Sequence, residues 1–269
     1  MSTLPFPCTA LPLSSTGFQS SVDSLGVDAA TVWAMLSVET LGLGFLPDRR
    51  PQILFERHIF HDLTGGQFDQ ADPDISNAQP GGYGPSGAAQ YPRLARAVAL
   101  DQDAALKSAS WGLGQVMGEN YAIAGFADVE SMVQAMAASE DSQLAAVVGF
   151  ILANGLQNAL HNQDWASYAL GYNGPGYAKN NYDTRLAQSY AVFEAGTNLP
   201  DLTVRAAQLY LLFLGYDPQG VDGLVGAHTL TALHNFQSAN GQPLTTGIDD
   251  GVLSALAAAL PPAGNLSLT

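Results

Sequence analysis

The chain has 269 residues, of which 47% are hydrophobic, and a net charge of −15 from 24 Asp and Glu against nine Lys and Arg. That length suits one large domain or a medium domain with a small one, and the apolar content suffices for a sizeable core. Nine cations cannot form a surface that tracks phosphates, which argues against a nucleic-acid ligand, and the acidic balance argues equally against charge-driven adhesion to anionic membranes or polymers.

The opening segment, MSTLPFPCTALPLSSTG, has no basic residue and no continuous apolar run, so it lacks the pattern of a secretion signal. Cytoplasmic synthesis is expected, with any export by another route. Residues 1–20 read as an irregular tail. The tail holds the single cysteine, Cys8, so no intramolecular disulfide is available and a nucleophile on so mobile a segment is disfavoured. No apolar run approaches the roughly 18 residues of a membrane span, and membrane insertion is not expected.

A helix is expected from Asp28, a good N-cap, through Leu41, ended by Gly42 and Gly44. PQILFERHIF (51–60) is rich in β-formers and reads as a strand. Residues 61–92 are long, polar and punctuated by Gly and Pro, and a loop of that length inside a compact domain is usually functional. From Arg93 to Glu194 the pattern is helical, with breaks at 112–114, at Gly125 and at GYNGPGY (171–177). AGTNLPD (195–201) reads as a linker.

Three short helices follow. Val204, Ala207, Leu211 and Leu214 share one helical face, Leu230, Leu233 and Phe236 mark a second helix, and Leu253, Leu256 and Leu260 a third. A compact Gly/Asp loop, GYDPQGVDGLVGAHT (215–229), joins the first two. The five histidines, His58, His61, His161, His228 and His234, fall in no zinc-binding spacing, so no metal and no other cofactor is expected.

Two carboxylates stand out. Val32, Met35, Leu36 and Glu39 fall at i, i+3, i+4 and i+7, which places Glu39 on the apolar stripe and in the last turn of the first helix. Desolvation and the negative end of the helix dipole both oppose its ionisation, and a carboxylic acid kept protonated is what a general acid requires. The plainer reading is an exposed glutamate at a frayed end, or one paired with Arg49 or Arg50. Glu56, in ILFERHIF, shares a strand face with Leu54, His58 and Phe60 on this reading. A salt-bridged edge residue beside Arg57 or His58 is the plain alternative. Together the two carboxylates, with a Gly-rich loop after them, form the layout of an enzyme that cuts polysaccharides between two lobes.

SVETLGLGFLPDRRPQILFERHIF resembles the opening of the N-acetylmuramidase domain of phage endolysins and related cell-wall enzymes, whose pattern is V-E-S/T-x-G-x-G-F followed by R-P-x-I-L-F-E-x-H-x-F. SASWGLGQVMGENY (108–121) and ALGYNGPGYAKNNYDTRLAQSY (169–190) match the same family. VRAAQLYLLFLGYDPQGVDGLVGAHTLTALHNFQ (204–237) with TTGIDDGVLSAL is similar to the small three-helix peptidoglycan-binding domain.

The resemblance implies a mainly α protein. Residues 21–194 would form a lysozyme-like α+β catalytic domain with a small β element, and residues 202–261 a small three-helix bundle. It implies cleavage of the β-1,4 bond between N-acetylmuramic acid and N-acetylglucosamine in bacterial peptidoglycan, by a monomer. Glu39 matches the catalytic glutamate and is assigned as general acid. Glu56 matches the second acidic position, activating water or stabilising the transition state, and two carboxylates on separate elements favour inversion.

Gln115 and Tyr121 are candidates for lining the cleft, and Tyr172 and Asn173 for holding an N-acetyl group or positioning water; structural roles are the alternative for each. In the small domain Asp222 and Gly223 are candidates for ligand contact, or simply shape their loop. Rival readings are a lytic transglycosylase, which leaves 1,6-anhydro ends, and an inactive wall-binding structural protein. A phage lysis enzyme would reach the wall through a membrane pore; a bacterial effector delivered by a secretion machine would look the same.

Overall fold

In this computed structural model the described residues are 3–39, 43–196 and 199–268, with Glu39 described in its backbone alone. The elements in chain order begin with β1 (Thr3–Pro7), α1 (Ser15–Leu25), α2 (Ala29–Glu39), β2 (Ile53–Phe55) and α3 (Arg57–Thr64). Then come α4 (Gln90–Leu100), α5 (Gln102–Lys107), β3 (Ala109–Trp111), β4 (Val116–Met117), α6 (Val129–Ala138) and α7 (Glu140–Ala153). The rest are α8 (Gln157–His161), α9 (Trp165–Asn173), α10 (Tyr182–Glu194), α11 (Leu202–Phe213), α12 (Ala227–Ala239), α13 (Asp250–Ala259) and β5 (Asn265–Ser267). The fold is mainly α with little strand. No described helix is long and apolar enough to cross a membrane.

The chain forms two compact units. The first takes in residues through Leu11, Gly44–Phe150 and from Ala263 onward. Its sheet, in the order β2-β3-β4, is antiparallel, pairing Leu54 with Ser110 and Trp111 with Val116. Phe55, Phe60, Ile75, Tyr91, Leu94 and Trp111 are fully buried around it, and the Trp111 indole donates to the Leu106 carbonyl at 3.1 Å.

The irregular N-terminal tail is corrected here. β1 pairs with β5, Leu4 opposite Leu266, and the Cys8 amide donates to the Gly264 carbonyl at 2.8 Å. Leu4, Phe6 and Cys8 are buried while Thr3, Pro5 and Pro7 face out. The two prolines hide this alternation in the sequence, because proline cannot donate to a ladder and reads as a break. Burial pushes the Cys8 thiol up to about 11, with Arg49 opposing, so it is an inert core group. The second half of the supposed tail is helix: the Ser14 hydroxyl caps α1 by accepting from the Gly17 amide at 3.0 Å.

The second unit, Pro12–Leu43 and Ile151–Pro262, holds α1, α2 and α8–α13. Asp28 caps α2 as the sequence indicates, accepting from the Thr31 amide and hydroxyl at 2.8 and 2.7 Å. The Tyr190 hydroxyl of α10 donates to the other Asp28 oxygen at 3.1 Å, and Arg185 donates to the Val38 carbonyl at 3.2 Å. These bonds clamp both ends of α2 to α10. The apolar stripe read on α2 is not a stripe, because 30–36 are buried without interruption and the helix is covered all round. The expected end of this helix at 40–42 lies outside the described residues.

Ala207, Leu211, Ala232, Leu233, Phe236 and Leu256 make the core of α11–α13, with Tyr216 edge-on to Phe236 at 5.7 Å. Asp201 caps α11 and Asp249 caps α13.

Candidate active site

Glu56 sits where a strand becomes a helix. Ile53, Leu54 and Phe55 pair with β3, and the Glu56 amide adds one more bond, to the Ser108 carbonyl at 2.8 Å. At Glu56 the backbone (φ −103°, ψ 97°) turns into α3, whose far end is closed by Gly65 in the left-handed region. The strand expected over 51–60 is therefore only Ile53–Phe55. Period-two alternation would put Phe55 and Phe60 on opposite faces of a strand. The turn instead brings the two buried rings within 5.9 Å, with the partly exposed Phe68 beyond at 5.8 Å, in one cluster. That burial outweighs the β propensity of the segment.

Glu56 holds the N-cap position but its carboxylate caps nothing. The carboxylate turns instead to His58 and Tyr83. Its Oε2 lies 3.3 Å from His58 Nδ1, and the Tyr83 phenol is close enough to act on its ionisation. Burial raises the Glu56 pKa above its ordinary value, while His58 and then Tyr83 pull the other way. Tyr83 is raised in turn, by burial and then by the Glu56 charge. Glu119, in the 3-10 turn Gly118–Asn120, faces His58 and Asp62, and burial raises it too. Tyr83 and Glu119 were not singled out from the sequence; each lies far along the chain from Glu56, so no local spacing reveals it.

The long loop before α4 is built rather than loose. Ser76 and His61 both bond Asp69, at 2.5 and 2.8 Å, and Ile75 and Ser76 are fully buried. Arg57 donates Nε to the Gln79 carbonyl at 3.1 Å and packs on Gly82, where a Cβ would fall 2.7 Å from the guanidinium. The first residues of the segment read as loop, 61–64, belong to α3.

The other predicted residues divide between the units. Gln115 has a left-handed backbone (φ 50°), and its side chain is spent internally. Nε2 donates to the Gly112 and Gln52 carbonyls at 2.9 and 3.2 Å, and Oε1 accepts from Ser110 at 2.9 Å. It pins the β3–β4 turn, the structural role that the sequence leaves open beside cleft lining. Tyr121 is half-buried, with the Lys107 ammonium 5.5 Å from its ring.

In the second unit, Tyr172 and Asn173 do not occupy a loop: α9 runs through both, and Tyr172 stacks on Tyr168 at 5.5 Å. Glu39 closes α2, and its side chain lies outside the described residues.

Asp222 and Gly223 shape their loop around Gln208, a buried residue that the sequence reading passed over. Gln208 Nε2 donates to Asp222 Oδ1, the Leu224 carbonyl and Thr229 at 2.9, 3.0 and 3.1 Å, and its Oε1 accepts from the Gly223 amide at 2.8 Å. Gly223 has φ +77°, and a Cβ there would meet the Asp201 backbone at 2.9 Å. Gln208→Ala leaves several buried polar groups unpaired. An expected loss of about 2–4 kcal/mol follows, measurable by urea denaturation; an unchanged midpoint would remove Gln208 from this role.

Residues 28–194 match the family model of the N-acetylmuramidase, and residues 201–256 match that of the peptidoglycan binding domain. Among solved structures, the crystal structure of the Burkholderia AP3 phage endolysin is similar. It is 40% identical, with a TM-score of 0.64 over 68% of this chain and 71% of that one. No curated protein matches the chain.

Proposed function

Because the chain belongs to the N-acetylmuramidase family through residues 28–194, we propose that Glu39 and Glu56 are its two working carboxylates. The protein is a peptidoglycan hydrolase, a glycoside hydrolase of the lysozyme type, with a peptidoglycan-binding domain after its catalytic segment. Its substrate bond is the β-1,4 link between N-acetylmuramic acid and N-acetylglucosamine, and its biological role is that of a phage endolysin.

In this mechanism Glu39 gives its proton to the oxygen of the departing sugar as the C1–O bond breaks. Glu56, ionised, takes a proton from the water whose oxygen bonds to C1. One water is consumed per cut. The observation that carries the assignment of Glu56 is its position. It is a half-buried carboxylate at a helix start that forgoes the capping bond open to it. Capping would have stabilised α3 by about 1 kcal/mol.

The small domain keeps the enzyme near an insoluble polymer and raises the effective concentration of cleavable bonds. Digestion of purified peptidoglycan followed by mass spectrometry tests the reading. Fragments ending in an ordinary reducing N-acetylmuramic acid, heavier by one water per cut, are expected. Fragments ending only in the 1,6-anhydro sugar would replace hydrolysis by transglycosylation.

A further inference from the structure

Arg57 follows Glu56 directly, and its side chain is held in place without an acid. Nε donates to the Gln79 carbonyl at 3.1 Å, which spends one of the five guanidinium N–H groups on a neutral acceptor. The guanidinium lies against Gly82, where φ is +67° and an added Cβ would fall 2.7 Å from both Cζ and Nη1. Glycine at 82 thus answers two demands, a left-handed backbone and room for the guanidinium.

The loop under the guanidinium is itself anchored. Gln90 is wholly buried at the start of α4. Its Oε1 accepts from the Phe55 amide at 3.1 Å, and its Nε2 donates to the Tyr83 and Pro85 carbonyls, both at 2.7 Å. One side-chain amide therefore joins the residue before Glu56 to the loop that carries the guanidinium. Adjacent Cα atoms stand about 3.8 Å apart, so the guanidinium stays within one side chain's reach of Glu56 and of the sugars that flank its bond.

Arg50, Arg96 and Lys107 are each paired with an aspartate, Asp48, Asp72 and Asp103. Among the described residues Arg57 pairs with no carboxylate, and its Nη1 and Nη2 hydrogen-bond no described group. The chain carries a net charge of −15, so a permanent cation kept clear of every acid is a selective attractor for one anion at one place. The polymer supplies such an anion. Each N-acetylmuramic acid bears a lactyl group whose carboxyl is either free or extended by a peptide stem with carboxylates of its own.

We propose that Arg57 is a substrate-binding residue whose guanidinium fork takes a carboxylate of the muramic acid side group in a bidentate pair. This rests on the reading of the chain as a muramidase with Glu56 at the bond that is cut.

Soluble glycan chains freed of peptide, and the same chains after carbodiimide coupling to methylamine, differ in the lactyl charge. Stem-bearing chains before and after the same coupling form a second pair. The parent protein should cut the charged form of at least one pair about tenfold better in kcat/KM, the scale of a charge-assisted bond. The gain should lie in KM, because the contact is the same before and during the cut. Arg57→Gln should cut both forms alike, at the parent's rate on the neutral form. Arg57→Lys keeps the charge without the fork and should recover only part of the preference. A preference on the stem-free pair assigns the lactyl carboxylate, and one confined to the stem-bearing pair assigns a stem carboxylate.

Equal cutting of charged and neutral forms by the parent, or a preference that survives in Arg57→Gln, overturns the proposal. A parent that cuts none of the four substrates overturns the reading beneath it. A loss of folded protein lowers the rate on both forms by one factor, so the ratio reads Arg57 alone.

Discussion

Glu39→Gln is expected to lower peptidoglycan cleavage by at least about two orders of magnitude, the usual contribution of a general acid. Glutamine keeps the size and shape of the side chain but has no proton to transfer. The residue stands in the last turn of α2, where the negative end of the helix dipole disfavours a second negative charge. The turn is held by the Arg185 bond to the Val38 carbonyl and by the burial of Met35, Leu36 and Val38. These contacts fix the backbone of α2 up to Val38. The variant should melt within a few degrees of the parent, and circular dichroism with turbidity assays would show both properties. Near-normal lysis would remove Glu39 from the mechanism.

Glu56→Gln carries the second large effect. Loss of the proposed base should cost about 10²-fold or more in hydrolysis. Stability should move the other way. The folded pKa of Glu56 is raised, chiefly by burial, so its contribution to folding is fullest below the unfolded carboxylate range. That contribution is lost as pH rises through the folded pKa. At neutral pH the ionised side chain therefore costs stability, and the glutamine variant should melt at or above the parent. In acid, where the parent carboxyl is protonated, the difference should vanish. A companion variant, Glu56→Ala, opens room for azide, a nucleophile that needs no base, and partial rescue with formation of a glycosyl azide is expected. A Glu56→Gln variant that is fully active and, at neutral pH, less stable than the parent would contradict the burial and the chemistry together.

Much of the helical framework was legible because its signals are local. Asp28 announces α2 by a capping interaction three residues long, and the core of α11–α13 follows helical spacing. The E-x-H sequence placed Glu56 and His58 together, though on the wrong element. The strand became a helix after three residues because Phe60 gains a buried aromatic cluster only if the chain turns.

What the sequence hid was partnership across distance. Gln90 bonds Phe55, Gln208 bonds Thr229, and Tyr83 meets Glu56, with nothing periodic to mark any of them. Gln115 and Asp222 stood open between ligand contact and a structural role for the complementary reason. A polar side chain in a Gly-rich motif looks the same whether it faces a sugar or its own backbone, and here both are engaged by their own loops.

The pairing of β1 with β5 sets a timetable for synthesis. Leu4 leaves the ribosome long before its partner, Leu266, which follows nearly all of the described sequence. Until that partner emerges, Leu4, Phe6 and Cys8 have no sheet to join, and their apolar side chains wait for cover while the helices behind them fold. Closing so long a loop adds little to the equilibrium cost, because the entropy grows only with the logarithm of length. It acts on rate, since a contact between such distant segments forms slowly. The nascent chain is therefore most exposed to misassociation in the interval before residues 265–267 are made. Slowing translation just before codons 265–267 should lengthen that interval without altering the finished fold.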